Sequence, residues 1–216
     1  MNKPDTFDEF DKDLLAAEKH QLAKWLPDIF GYCLVALSEQ WCAQDLQSSK
    51  IRARFVASAH CATHSHLMTQ PDALAFADNS LDCLIYHHQL GYINDLKQLL
   101  TEADRVLISH GQLIFIDVNP QRLRGWWQRY IKGKQPDPKQ RYSRSTLIAS
   151  LADSAFMLEE SQLFYKLPWR TWSIIEAGIA KLWPKTAVAY AFRLRKKSPC
   201  FIPPAIPYQT LAPAKV

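Results

Sequence analysis

The chain has 216 residues, with 26 lysines and arginines against 21 aspartates and glutamates and a formal net charge of +5 at neutral pH. That length suits one α/β domain with a sizeable core. A composition that is 48% hydrophobic argues against a disordered chain, and no apolar run approaches the roughly 20 residues that cross a bilayer, so a transmembrane protein is not expected. The amino terminus, Met1 to Asp13, is acidic and polar, unlike a secretory signal, and a cytoplasmic location is the expectation.

Phe10, Leu14, Leu15, Leu22 and Trp25 mark one face of a helix over Asp8 to Trp25, which Pro27 closes. The compact apolar run Tyr32 to Leu37 reads as a buried central strand, followed by strands over Ile51 to Ala59 and His66 to Met68. A fourth strand runs from Leu81 to His87. Leu96, Leu99, Leu100, Ala103, Val106 and Leu107 form the buried stripe of a helix over Asp95 to Leu107, expected to end near Gly111 in the left-handed conformation that glycine accepts. Gln112 to Val118 returns as a fifth strand. A helix over Ser145 to Ser154 and strands over Met157 to Tyr165 and Ala187 to Arg195 complete the alternation, which predicts a mostly parallel sheet covered on both faces. Residues 1–198 read as one domain, with a helical segment over 1–30, a basic cover over 120–144 and a proline-rich tail over 199–216.

The five cysteines form no C-x-x-C pair and read as reduced, mostly buried thiols. His60, Cys61, His64 and His66 fall within seven residues, but no distant ligand pair completes the group, and no metal site is predicted.

Between Gln121 and Arg144 the chain carries Arg122, Arg124, Arg129, Lys132, Lys134, Lys139, Arg141 and Arg144 against the single acid Asp137, interleaved with Trp126, Trp127 and Tyr130. Cations alternating with flat aromatic rings suit a polyanion, either RNA or an anionic membrane surface.

The stretch from Ala73-Leu74-Ala75-Phe76-Ala77-Asp78 through Asn79-Ser80-Leu81-Asp82, with Glu102-Ala103-Asp104-Arg105-Val106-Leu107 after it, resembles the second half of a class I S-adenosylmethionine-dependent methyltransferase. Within that family it resembles the type-11 branch. It is most similar to a poorly characterised bacterial subfamily that shares Trp25-Leu26-Pro27-Asp28-Ile29-Phe30-Gly31-Tyr32 and Leu167-Pro168-Trp169. The resemblance implies a doubly wound, mostly parallel sheet ending in an antiparallel hairpin, and S-adenosylmethionine as cofactor. It places Leu37, Ser38, Gln70, Pro71, Asp72 and Leu74 at the cofactor. His87 and His88, at the end of the fourth strand, are candidate catalytic bases. Asp117, Asn119, Arg122, Arg124, Trp126 and Trp127 are placed at the substrate.

The chain departs from the family at three places. No glycine stands between Gly31 and Gly91, so the Gly-rich turn is replaced by Leu37-Ser38-Glu39-Gln40-Trp41. No acid follows the second strand in Phe55 to His60, where a carboxylate accepts the two ribose hydroxyls, and Gln70 stands where an acid accepts from adenine. These departures leave two readings: a methyltransferase with an unusual cofactor site whose acceptor is unknown, an anionic substrate being the expectation, or a catalytically inactive binding or scaffold protein whose cofactor pocket has closed and which acts with a protein partner.

Overall fold

In the computed structural model, which describes residues 6–59, 65–119, 142–164 and 187–197, the chain opens with helix α1 (Thr6–Trp25) and a 3-10 turn over Leu26–Asp28. It then runs through β1 (Cys33–Leu37), β2 (Ala53–Ser58), β3 (Leu67–Met68), β4 (Leu81–His87), α2 (Leu96–Val106), β5 (Leu107–Val118), α3 (Arg144–Ala152), β6 (Phe156–Phe164) and β7 (Ala189–Lys196). The seven strands form one sheet in the order β3-β2-β1-β4-β5-β7-β6. β7 lies antiparallel between β5 and β6, and the strands from β3 to β5 are mutually parallel. This is the expected architecture, terminal hairpin included.

Both faces of the sheet are buried, which explains why its central strands read as continuous apolar runs. One core layer gathers Val35, Leu37, Leu84, Tyr86, Leu113 and Phe115 against Leu99, Leu100, Ala103 and Val106 of α2, and against Leu147 and Leu151 of α3. The opposite layer gathers Leu34, Ala36, Ile85, Ile114 and Ile116 against Leu14, Leu22 and Trp25 of α1. α1 is also tied by polar contacts, with Lys19 paired to Asp45 at 2.6 Å and Trp25 Nε1 donating to Glu160 of β6 at 2.8 Å.

The approach to β1 depends on Gly31. Its φ of 153° lies outside the range that L side chains favour, and a Cβ there would fall inside the Asp82 carboxyl group. That buried carboxylate accepts from the backbone N–H groups of Tyr32 and Cys33 at 2.8 and 2.9 Å, which aligns β1 beside β4.

Most boundaries lie within one or two residues of the sequence expectation, and two differences affect how the strands join. α2 passes directly into β5 at Leu107, and the positive φ near its end belongs to His110, at 65°, rather than to Gly111. The pairing of β4 with β5 shifts register between Leu81 and Cys83 to absorb the extra residues. Val188, expected within the last strand, sits just before β7, where its N–H and C=O are bonded to Phe164 and Asn119. Most of the basic cover, the tail over 199–216, and His60, Cys61 and His64 lie outside the described residues.

Candidate active site

Parallel register brings several strand ends to one edge of the sheet. Leu37 pairs with Ala57 and Tyr86, and His87 with Ile116, so β1, β2, β4 and β5 all end on that edge, where open α/β sheets take ligands.

Successive strand residues face opposite sides of a sheet, yet His87 and His88 lie face to face, with ring centroids 4.1 Å apart. The cause is the backbone of His88, whose φ of 53° is left-handed and turns its ring back beside its neighbour. Both rings address Glu18 of α1. His87 Nε2 lies 3.1 Å from Oε2 and His88 Nε2 lies 3.0 Å from Oε1, while Glu18 is wholly buried. Burial opposes the ionisation of Glu18, but the hydrogen bonds and charge of the two imidazoles overcome it and hold its pKa down at about 2. For His87, burial dominates and lowers the pKa to about 4, so this ring is neutral near pH 7.

Ser38 supplies what the missing glycines would otherwise shape. Its hydroxyl accepts from the N–H groups of Gln40 and Trp41 at 3.2 and 3.1 Å, closing the turn after β1, and lies 2.8 Å from His87 Nδ1. The Trp41 ring stacks on His87 at 4.0 Å and belongs to the core layer beneath α1. Leu37 is buried in the opposite layer.

The other expected cofactor residues form a separate turn. Gln70 is exposed and bridged to Ala73, Pro71 C=O accepts from Tyr86 Oη at 2.8 Å, Asp72 is half-buried, and Leu74 is buried. Glu102 accepts from Leu74 N–H at 2.8 Å, while Arg105 donates to the carbonyls of Leu74 and Phe76 and to Asp78. The two sequence segments that carry the family resemblance are thus physically one clamp.

Asp117 accepts from Leu90 N–H and Val118 N–H at 3.0 and 2.6 Å and so shapes the connection after β4. Burial raises its pKa to about 6 against the opposing pull of His88 and those two amides. Asn119 donates from Nδ2 to Ala187 C=O, tying the end of β5 to the start of β7. Arg122, Arg124, Trp126 and Trp127 lie outside the described residues.

Glu18, His87 and His88 offer three ligand atoms within 4.8 Å of one another. Their orientation suits a shared carboxylate better than an ion. Rings inclined by 20° send their in-plane lone pairs side by side toward separate oxygens, whereas a metal needs them to converge. His66, from the histidine-rich connection, accepts from Val56 N–H through Nδ1.

Glu18, Trp41 and Gln89 were absent from the expected site. Glu18 had a visible signal, since it falls on the helical stripe of Leu14, Leu22 and Trp25, where an acid needs a buried partner.

Comparison with known proteins places this geometry in a family context. Residues 28–115 match the sequence model of the methyltransferase domain family. That stretch is similar to a methyltransferase domain, and the seven-stranded sheet built around it has the class I methyltransferase-like fold. An uncharacterised Escherichia coli (strain K12) protein, YafS, is 26% identical over 161 residues, covering 71% of this chain and 64% of its own length. The methyltransferase-like fold is shared with an S-adenosylmethionine-dependent methyltransferase of Mesorhizobium loti, at a TM-score of 0.58 and 17% identity over 82% of this chain and 96% of that one. It is also shared with a Haloferax volcanii protein solved in complex with the Trm112 methyltransferase activator, at 0.62 and 15% over 92% and 100%.

The domain's residues can be tested against S-adenosylmethionine. Trp41 Nε1 and Gln89 Oε1 are buried without a hydrogen-bond partner among the described residues. They offer a donor after β1 and an acceptor after β4, matching the carboxylate and ammonium of a methionine end, and the clamped turn with Leu74 offers an apolar wall for adenine. The residues present fit the group, although Val56 to Ala59 provide no carboxylate for the ribose.

His87 makes stability depend on pH with a definite sign. The unfolded chain protonates this ring below about 6.5 while the folded chain resists until about 4, so its stabilising effect is complete above 6.5 and is lost as the pH falls through that window. Asp117 acts oppositely between about 4 and 6, because there the folded state retains a proton that the unfolded state releases. Denaturant titrations of the wild type and His87→Asn should therefore diverge as pH rises from 4.5 to 6.5, with the variant showing the more negative slope. Parallel profiles would remove the assignment of a neutral buried His87.

Proposed function

We propose that this chain is an S-adenosylmethionine-dependent methyltransferase whose acceptor is deprotonated by His88. A methyltransferase domain whose β4 ends in a carboxylate-bound histidine pair is the observation that carries this reading. When bound, S-adenosylmethionine supplies an electrophilic methyl group. Trp41 and Gln89 would hold its methionine end beside Leu37 and the turn that Ser38 closes, and Gln70, Pro71, Asp72 and Leu74 its adenine end.

The two histidines divide the work. His87 is 1% exposed and both its ring nitrogens are engaged, by Ser38 and Glu18, so it supports its neighbour. His88 is less buried, with 14% of its side chain exposed, and takes the acceptor's proton. Asp117 and Asn119 bound the acceptor's side of the cleft by fixing the exits of β4 and β5. The three described cysteines are free thiols, which supports a reducing, cytoplasmic setting, and no described helix is long and apolar enough to cross a membrane.

Calorimetric titration with S-adenosylhomocysteine tests the cofactor reading. Without a ribose carboxylate, whose loss costs about 1.5–3 kcal/mol, binding should be micromolar rather than submicromolar. Arg105→Ala should weaken it roughly tenfold by loosening the turn that carries Leu74. No heat at millimolar ligand would favour the inactive scaffold.

The finer identity of the partner rests on the basic segment. Arg122, Arg124, Trp126 and Trp127 are proposed to contact an RNA-like polyanion, supported by their alternation and the chain's net charge of +5. Filter binding of a mixed RNA pool should weaken steeply with salt, and Arg122→Ala with Arg124→Ala should flatten the slope. No retention at low ionic strength would end this proposal, and retention by anionic vesicles instead would assign the segment to a membrane surface.

A further inference from the structure

Among the residues of α1 whose burial is described, Glu18 is the one buried acid, and it lies outside the methyltransferase domain match over residues 28–115. We propose that Glu18 is the positioning residue of the site: its carboxylate fixes His88 with the proton on Nε2 and the lone pair on Nδ1, so that docking of α1 prepares the base. The inference rests on the reading of His88 as proton acceptor and extends it to an element outside the matched domain.

The direction of the hydrogen bonds from the two imidazoles to Glu18, and of the one between Ser38 and His87, follows from one constraint. An ionised carboxylate only accepts, so both imidazoles facing Glu18 must carry hydrogen on Nε2. His87 Nδ1 is then an acceptor, and the Ser38 hydroxyl, which already accepts from Gln40 and Trp41, has its own proton to give. Donation runs from Ser38 to His87 to Glu18, and from His88 to Glu18, with no two donors opposed. In neutral His88 the basic atom is consequently Nδ1.

α1 decides whether the carboxylate is present. Leu14, Leu22 and Trp25 seat the helix on the sheet, Lys19 holds Asp45, and Trp25 holds Glu160, so Glu18 is carried to β4 by contacts spread along its own helix. The left-handed backbone of His88 makes sense in the same terms, because with it consecutive rings reach the two oxygens of one carboxylate. The arrangement parallels any acid–imidazole pair in which the acid selects the tautomer of the base.

The test is long-range proton–nitrogen correlation NMR on the full chain labelled with nitrogen-15 in its histidine rings, near neutral pH, for the wild type, Glu18→Gln and Glu18→Asp. The wild type should show both His87 and His88 protonated on Nε2. In Glu18→Gln the amide offers one accepting oxygen and a donating NH2, so His88 should lose its exclusive Nε2–H form and exchange its two nitrogen shifts in part or in full. Glu18→Asp should restore it at least partly. A merely structural Glu18 would change the melting temperature without moving the tautomer.

Wild-type His88 protonated on Nδ1, or a Glu18→Gln chain that folds with His88 unchanged, overturns the proposal. Should Glu18→Gln fail to fold, the wild-type spectrum decides by itself. S-adenosylhomocysteine titrated into the wild type keeps the two claims apart, since its failure to bind would end the methyltransferase reading while the tautomer result stands on its own.

Discussion

A carboxylate buried in a protein interior is expensive unless every lone pair that faces the protein finds a donor, and Glu18 meets that condition through two imidazoles at once. The rest of the site is arranged around it. The rings must lie parallel, which requires the left-handed His88; His87 must offer Nδ1 to something that can donate, which requires Ser38; and α1 must be seated, which requires the apolar stripe that Glu18 interrupts. Breaking such a buried interaction by removing one partner costs about 3–5 kcal/mol, enough to couple the helix to the strand end.

The same cluster explains how the chain manages without a glycine-rich turn. Glycine would let the backbone after β1 bend and approach a ligand closely, whereas Ser38 bends it with a side-chain hydroxyl that takes two amide hydrogens. Those two amides are then engaged within the protein. Among the described residues, the indole N–H of Trp41 after β1 and the side-chain oxygen of Gln89 after β4 are buried polar atoms without a hydrogen-bond partner. Replacing Ser38 by glycine, which the family pattern suggests, would therefore remove the group that holds His87 as well as the one that holds the turn.

The fold was readable because hydrophobic period and burial agree along most of the chain. β4 was expected over Leu81 to His87 and spans those residues, and the stripe from Leu96 to Val106 is the buried face of α2. The signature residues Leu74, Glu102 and Arg105 were legible as a family pattern, and the structure supplies its physical reason in one hydrogen-bonded clamp. Less legible were features set by tertiary contact. Gly111 was the natural choice for a positive φ, but the direct passage of α2 into β5 puts it on His110. Two adjacent histidines suggested catalysis, while their stacking and their shared partner on a distant helix could not be read from local spacing. Glu18 alone left a trace, as a charge on an apolar stripe, and its partner lies 69 residues away.

The claim on which the account depends is that Glu18 remains ionised inside the protein. Following the side-chain carboxyl carbon of Glu18 by carbon-13 NMR through an acid titration measures this directly. With the two imidazoles in place its pKa lies at about 2, so the resonance should still report a carboxylate at about pH 3.5, where exposed glutamates are mostly protonated. A Glu18 carboxyl that gains its proton at or above the ordinary glutamate value while the chain is folded would contradict the account.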